Sequence, residues 1–172
     1  MSSAWDAELL AEVTRFLYRE ARYQDEHDYD AWEALWTDDA LYWIPANGDD
    51  LDPETQMSIV YDNRSRIALR IRQLHTGKRH TQSPRSRLRR IVSNIDILGR
   101  TGPDQNDLNV TANALVYESN LRGETIWASR NDYALRFVPR SGPDGGTELR
   151  MAKKKVILAN NQAALFTLSF LI

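Results

Sequence analysis

LNVTANALVYESNLRGETIWASRNDYALRFV, residues 108–138, decides the fold. Val110, Ala112, Ala114 and Val116 recur with period two in its first half, and Trp127, Tyr133, Leu135 and Phe137 share one parity in its second. Successive side chains of a strand point to opposite faces, so residues 108–121 and 124–138 read as two long strands, each with a buried face. Arg122-Gly123 is a turn-length connection, and strands joined so tightly are antiparallel neighbours.

Residues 86–98 and 148–160 extend the series, with Gly, Pro and Asp clustered in the connections at 98–104 and 141–146. Alternation slips between Leu88 and the set Ile91, Ile95, Ile97, and again between Met151 and Val156, which predicts bulges that bend the strands. Lys153-Lys154-Lys155 reads as the exposed part of the last strand, a charge run that discourages edge-to-edge pairing.

Helical periodicity fills the first half. Trp5, Leu9, Val13, Phe16, Leu17, Ala21 and Gln24 mark a long amphipathic helix with Ser3 as its N-cap. A second helix starts at Asp28, shows Tyr29, Trp32 and Trp36 on one side, and stops at Thr37-Asp38-Asp39. Residues 40–44 and 57–61 read as short strands. Asn63 caps a third helix with the stripe Ile67, Ile71, Leu74 and with Gly77 just past its end. Helices followed by a long sheet make an α+β architecture, with three helices packed in the concave face of a curved antiparallel or mixed sheet that wraps them as a cone. The 172 residues form one domain, 1–172, with no repeat.

The net charge of −2 conceals a polarity: residues 1–62 hold sixteen acids and three bases, and residues 63–100 hold eleven bases and one acid, Asp96. An acidic first third pairing with a basic middle is the simplest reading. The basic block is rich in Arg, which suits bidentate pairing with carboxylates. Between Lys78 and Arg100 it has no Phe, Tyr or Trp on which bases would stack, which argues against nucleic acid. Met1 to Asp6 has no basic leader region and nothing approaches ~20 consecutive apolar residues, so a soluble cytoplasmic protein is expected. The apolar close, residues 163–172, reads as a buried strand or docked tail.

The chain has no cysteine, which excludes disulfides, a thiol nucleophile and a cluster held by its own thiolates. His27, His75 and His80 are its histidines, and the last two are five apart, off the spacing that sets two ligands on one helical face. Asp25, Glu26, His27 and Asp28 are candidates for acid–base work or simply a helix end and cap. Asp38-Asp39 and Asp49, Asp50 and Asp52 are candidates for a hard cation or plain acidic turns. Tyr18, Tyr23, Tyr42, Trp43 and Tyr61 line a pocket or fill a core.

Four segments carry a resemblance: FLYREARYQDEHDYDAWEALWTDDALYWIPA (16–46), MSIVYDNRSRIALRIRQL (57–74), SPRSRLRRIVSNIDI (83–97) and MAKKKVILANN (151–161). In order and spacing they resemble the small, or beta, subunit of bacterial aromatic-ring-hydroxylating dioxygenases. The resemblance implies a cone of the nuclear-transport-factor-2-like (cystatin-like) type. It also implies a hexamer of three alpha and three beta chains with beta–beta contacts, and NADH-dependent dihydroxylation of an aromatic compound, such as a benzoate-like acid, by the alpha subunit. The Rieske [2Fe-2S] cluster and the mononuclear iron belong to that partner. This chain is then a structural subunit with no catalytic, cofactor-binding or metal residue of its own. The alternative is a stand-alone isomerase, dehydratase or cyclase with an acid–base pair inside the same cone, drawn from Asp28, Tyr18, Tyr42 or His80.

Overall fold

The structure, a computed structural model, describes residues 7–78, 84–163 and 168–172. Helix α1, Ala7–Asp25, buries Val13, Phe16, Leu17, Glu20 and Gln24, the single face that three- and four-residue spacing creates. The expected cap Ser3 and Trp5 lie outside the described residues. Asp28 caps α2, Tyr29–Glu33, accepting from the Ala31 N–H at 3.3 Å. α3, Arg64–His75, follows its cap Asn63, buries Ile67, Ile71 and Leu74, and ends before Gly77 at φ +62°.

The second helix is shorter than its sequence suggests. Trp36-Thr37-Asp38-Asp39 opens strand β1, Trp36–Pro45, instead of closing the helix. The cause is tertiary: the Met151 N–H donates to the Leu35 carbonyl at 2.7 Å, and Trp36 pairs in parallel with Met151, so a distant strand captures the segment. β2 is Ser58–Asn63, and the long strands are β3, Arg87–Thr101; β4, Asp107–Asn120; β5, Gly123–Pro139; and β6, Thr147–Leu158.

The six strands form one mixed sheet in the order β2-β1-β6-β5-β4-β3, with β1 and β6 parallel and the other neighbours antiparallel. The expected bulges are present. Register shifts occur between Ser93 and Asp96 and between Ile97 and Gly99 on β3, and opposite Ala134 and Leu135 on β6. α1 packs on β3 at one margin of the sheet while α3 packs on β1 and β2 at the other. The curved sheet thereby folds around the helices, and its inner face, from Val110 and Val116 to Leu135 and Val156, closes on Phe16, Leu17 and Ile71.

One sequence expectation changes in this frame and another, left between two alternatives, is resolved. β6 lies third in strand order, not at an edge, so its lysines serve no edge-blocking role: Lys154 points inward and is 1 % exposed, and Lys155 packs over Trp43 with its Nζ 4.3 Å from the ring centroid. The closing apolar run is a docked tail over residues 168–172. The Tyr42 hydroxyl donates to the Ile172 carbonyl at 2.7 Å and accepts its N–H at 3.2 Å, while Phe170 stacks edge-on against Trp127.

Part of the charge polarity resolves into pairs within the chain, through three arginines of the basic block. Arg64 meets Glu33 and Arg70 meets Asp62, each at 2.7 Å, and Arg90 meets Asp25 with its side chain almost fully buried.

Candidate functional site

The polar residues of greatest chemical interest meet inside the cone. Glu20 is brought inward by its place three and four residues after Leu17 and Phe16 on α1. One of its carboxylate oxygens accepts from Lys154 Nζ of β6 at 2.7 Å and from the Trp32 indole N–H of α2 at 3.2 Å. The other accepts from the Tyr133 hydroxyl of β5 at 3.2 Å. That hydroxyl accepts in turn from Asn131 Nδ2 at 3.3 Å, and Asn131 Oδ1 accepts from Ser129 Oγ at 2.9 Å. Ser129, Asn131 and Tyr133 reach the cluster together because alternate residues of one strand share a face.

Burial dominates the electrostatics. Desolvation lowers the proton affinity of Lys154, and the Glu20 charge opposes that shift. The Tyr133 phenol is pushed well above its ordinary value by burial and next by Glu20, and Tyr42 is raised by burial as well. Desolvation also lowers Arg90, against the pull of Asp25. Arg90 bonds the Asp25 carboxylate and the Leu171 carbonyl and lies 5.7 Å over Phe170, tying α1, β3 and the tail together.

This arrangement holds elements in register and gives little room to a substrate. Trp32, Trp36 and Tyr42 fill the centre with ring centroids 5.3 to 5.6 Å apart. A groove of about 550 Å³, lined by Tyr18, Arg22, Asp25, Arg89 and Ile91 among others, runs outside, between α1 and β3, and Glu20 and Lys154 do not line it.

The sequence candidates scatter. Tyr18 is exposed on the outer groove; Asp28 is spent on the α2 cap; Tyr42 is buried against the tail; His80 lies outside the described residues. Asp25 pairs with Arg90, and His27 Nε2 lies 2.8 Å from the Ser86 carbonyl. His27 and His75 flank Tyr29 edge-on, with His75 bonded to Asp30 at 2.7 Å. Among the described residues no group of three or more His, Asp or Glu could hold a metal ion. Asp39 accepts from Thr37 at 2.7 Å and from Arg136 at 3.0 Å, while Asp49, Asp50 and Asp52 go separately to Asn161, Lys155 and the Glu54 N–H. The aromatic set divides because Tyr42 and Trp43 are consecutive in β1: Tyr42 faces the core, and Trp43 faces Tyr61, Lys153 and Lys155 on the other side.

Glu20, Lys154, Tyr133, Asn131 and Ser129 were absent from the candidates. Periodicity was the available signal: Glu20 is in phase with Val13 and Leu17, Lys154 with Val156 and Leu158, and Ser129 and Asn131 with Trp127 and Leu135.

The comparisons with known proteins agree with the geometry. Residues 19–163 match the model of the ring hydroxylating beta subunit family. The chain belongs to that family. The beta subunit of toluate 1,2-dioxygenase from Pseudomonas putida is 36 % identical over 91 residues, 50 % of this chain and 56 % of that protein, so the match spans little more than half of the relative. The small oxygenase component of the p-cumate 2,3-dioxygenase system from Pseudomonas putida is 29 % identical over 86 % of this chain and 78 % of its own length. Among solved structures, the beta subunit of benzoate 1,2-dioxygenase from Burkholderia mallei superposes with a TM-score of 0.67 at 25 % identity, covering 88 % of this chain and 91 % of that one. The family's nuclear-transport-factor-2-like cone is thus the fold seen here. ActVI-ORFA from Streptomyces coelicolor shares the fold alone, at TM-score 0.59 and 16 % identity over 90 % of this chain and 98 % of that one. A likeness of fold alone selects no chemistry.

Proposed function

We propose that this chain is the structural small subunit of a ring-hydroxylating dioxygenase, supporting NADH-dependent dihydroxylation of an aromatic compound by a large catalytic subunit. The observation that carries the reading is the aromatic packing of Trp32, Trp36 and Tyr42 at the centre of the cone, taken together with family membership. The centre of the cone is filled by Trp32, Trp36 and Tyr42, and the Glu20–Lys154 pair holds α1 to β6 beside them. On this reading the chain contributes no catalytic, cofactor-binding or metal residue. A Rieske cluster needs two cysteine and two histidine ligands, and a chain without cysteine does not fit one. Cluster and mononuclear iron are therefore assigned to the large subunit, in an assembly of three large and three small chains. The names of the relatives, toluate and benzoate dioxygenases among them, favour an aromatic acid as substrate.

The test is co-expression with a large subunit of the ring-hydroxylating dioxygenase class, affinity capture through a tag on this chain, and assay of the captured material. The expected result is a coloured, iron-containing complex that converts an aromatic acid to its cis-dihydrodiol with NADH and a reductase. Recovery of this chain alone, colourless, in the presence of well-expressed large subunit would refute the reading. The stand-alone acid–base enzyme has less support, because Tyr18 and Asp28 lie on the surface and Tyr42 is committed to the tail.

A further inference from the structure

Residues 168–172 enter the core without joining it as helix or strand. Ser169, Phe170, Leu171 and Ile172 are all buried, yet among the described residues their backbone makes no bond to another backbone group. Two side chains hold the segment instead. Arg90 bonds the Leu171 carbonyl, and the Tyr42 hydroxyl donates to the Ile172 carbonyl at 2.7 Å while accepting the Ile172 N–H at 3.2 Å. Phe170 sets its ring edge-on to Trp127 at 5.9 Å, with the Arg90 guanidinium 5.7 Å from its centroid. A segment held in this way can undock locally without breaking the sheet.

The groups that receive the tail are fixed by other contacts. The Trp127 indole donates to Glu118 at 2.9 Å, and Glu118 also accepts from Ser86 at 2.6 Å and from Asn120 at 3.1 Å. Asp25 bonds the Arg90 guanidinium and accepts its backbone N–H at 2.9 Å. Trp32 and Trp36 each lie 5.6 Å from the Tyr42 ring. None of these contacts involves the tail, so an aromatic wall, a cation beside it and a hydroxyl keep their places when it leaves. A few convergent polar groups on preformed apolar walls make a small-molecule site, and an apolar cavity of about 150 Å³ takes up benzene.

Charge decides the ligand class. Tyr42 lies within reach of Arg70, Glu20 and Arg90, and each of these is already matched: Arg70 by Asp62, Glu20 by Lys154 and Arg90 by Asp25. A carboxylate here would be a further buried charge without a partner, which is costly. The tail itself presents only neutral groups, two carbonyls, an N–H and a ring. We infer that the tail occupies a binding site for an uncharged aromatic carboxamide. The ligand's ring takes the place of Phe170 against Trp127, its carbonyl accepts from Arg90, and its N–H donates to the Tyr42 hydroxyl. Because the tail is tethered at the site, the ligand reaches only the undocked fraction, and whatever loosens the tail tightens the ligand. The inference goes beyond the assembly reading and does not rest on it.

The test uses the full chain, with benzamide as probe and benzoate as its charged counterpart, followed by equilibrium dialysis and hydrogen exchange. Benzamide is expected to bind the wild-type chain weakly and to raise exchange in residues 168–172 while leaving α1 and β4 unchanged. Phe170→Gly, which empties the place of the ring, should bind benzamide about thirtyfold more tightly than wild type, and benzoate about tenfold or more less tightly than benzamide. Should Phe170→Gly fail to fold, Leu171→Ala loosens the same segment and should bind benzamide about fivefold more tightly than wild type. Benzamide bound with no rise in tail exchange overturns the proposal, as does a loosened tail that gains no affinity, or benzoate bound as tightly as benzamide. No binding by the wild-type chain overturns it too, since binding by Phe170→Gly alone would mark only an engineered cavity.

Discussion

Replacing Lys154 by Met tests the interior most directly, because it removes the ammonium while keeping most of the stem's volume. Glu20, 2 % exposed, is then left with the Trp32 and Tyr133 donors, both at 3.2 Å, in place of a charge-assisted bond at 2.7 Å. Removing one partner of a buried pair costs about 3–5 kcal/mol, since the remaining charge stays desolvated. For a chain of this length each kcal/mol lowers the melting temperature by roughly 2–4 °C, so the expected fall is roughly 6–20 °C. Glu20→Gln should be milder and pH-dependent. The Lys154 proton affinity is already lowered by burial and held up by Glu20, so without the carboxylate it falls further. A lysine whose folded value lies below its unfolded one gains stability as pH rises between the two, so this variant's deficit should shrink from pH 7 towards pH 10.

Glu20→Met with Lys154→Met removes both charges and leaves two neutral donors unpaired, at about 1–3 kcal/mol each. Its loss should therefore be smaller than the sum of the Lys154→Met and Glu20→Met single losses by at least about 2 kcal/mol. Urea unfolding of the full chain, followed by tryptophan fluorescence and far-ultraviolet circular dichroism, measures all four variants. A Lys154→Met variant within about 1 kcal/mol of wild type, or single losses that simply add, would refute the assignment of this pair as the lock between α1 and β6.

Three further outcomes follow from other parts of the molecule. Arg90→Met should destabilise the chain by about 3–5 kcal/mol and raise hydrogen exchange in residues 168–172, whereas Arg87→Ala should leave stability within about 0.5 kcal/mol; equal effects would contradict the burial of Arg90. Gly102→Ala should lose about 1–3 kcal/mol in thermal unfolding, because φ is +76° and the new Cβ would collide with an Asp107 carboxylate oxygen that holds Arg136. Burial lowers the His27 proton affinity in spite of its bond to the Ser86 carbonyl, so the unfolded chain binds the proton more readily. Stability should then fall as pH drops below about 6.5, and the slope of unfolding free energy against pH should be shallower in His27→Gln. Identical slopes would remove His27 from the account.

Much of the architecture was legible because it is written in local periodicity. Ile67, Ile71 and Leu74 recur as a helix face must, and Val110 to Val116 as a strand face must, so element type and inward side followed without tertiary information. Asn63 and Gly77 marked the ends of α3 for equally local reasons: a side chain that accepts from the first turn and a residue that tolerates positive φ. The polarity of charge foretold pairing between the first third and the middle, since Glu33, Asp62 and Asp25 all find arginines of the basic block. It did not tell which arginines go inward. Arg87 and Arg90 are three apart and so face opposite sides of β3, and the position of α1 over β3 decides which of those sides is covered.

What only the tertiary structure decided involves residues distant in sequence. Trp36 leaves the helix because β6 pairs with it, more than a hundred residues on. Lys154 looked like surface in a run of three lysines, and its charge is compatible with burial only because Glu20, 134 residues away, meets it in the core. The basic character of the middle segment, family resemblance and fold class belong to the sequence by itself. The aromatic packing at the centre of the cone and the exposed outer face of β3 to β5 belong to the fold. Alternation says that a residue has a side but not what lies on that side, because the neighbour that satisfies or strands a charge is supplied by another part of the chain.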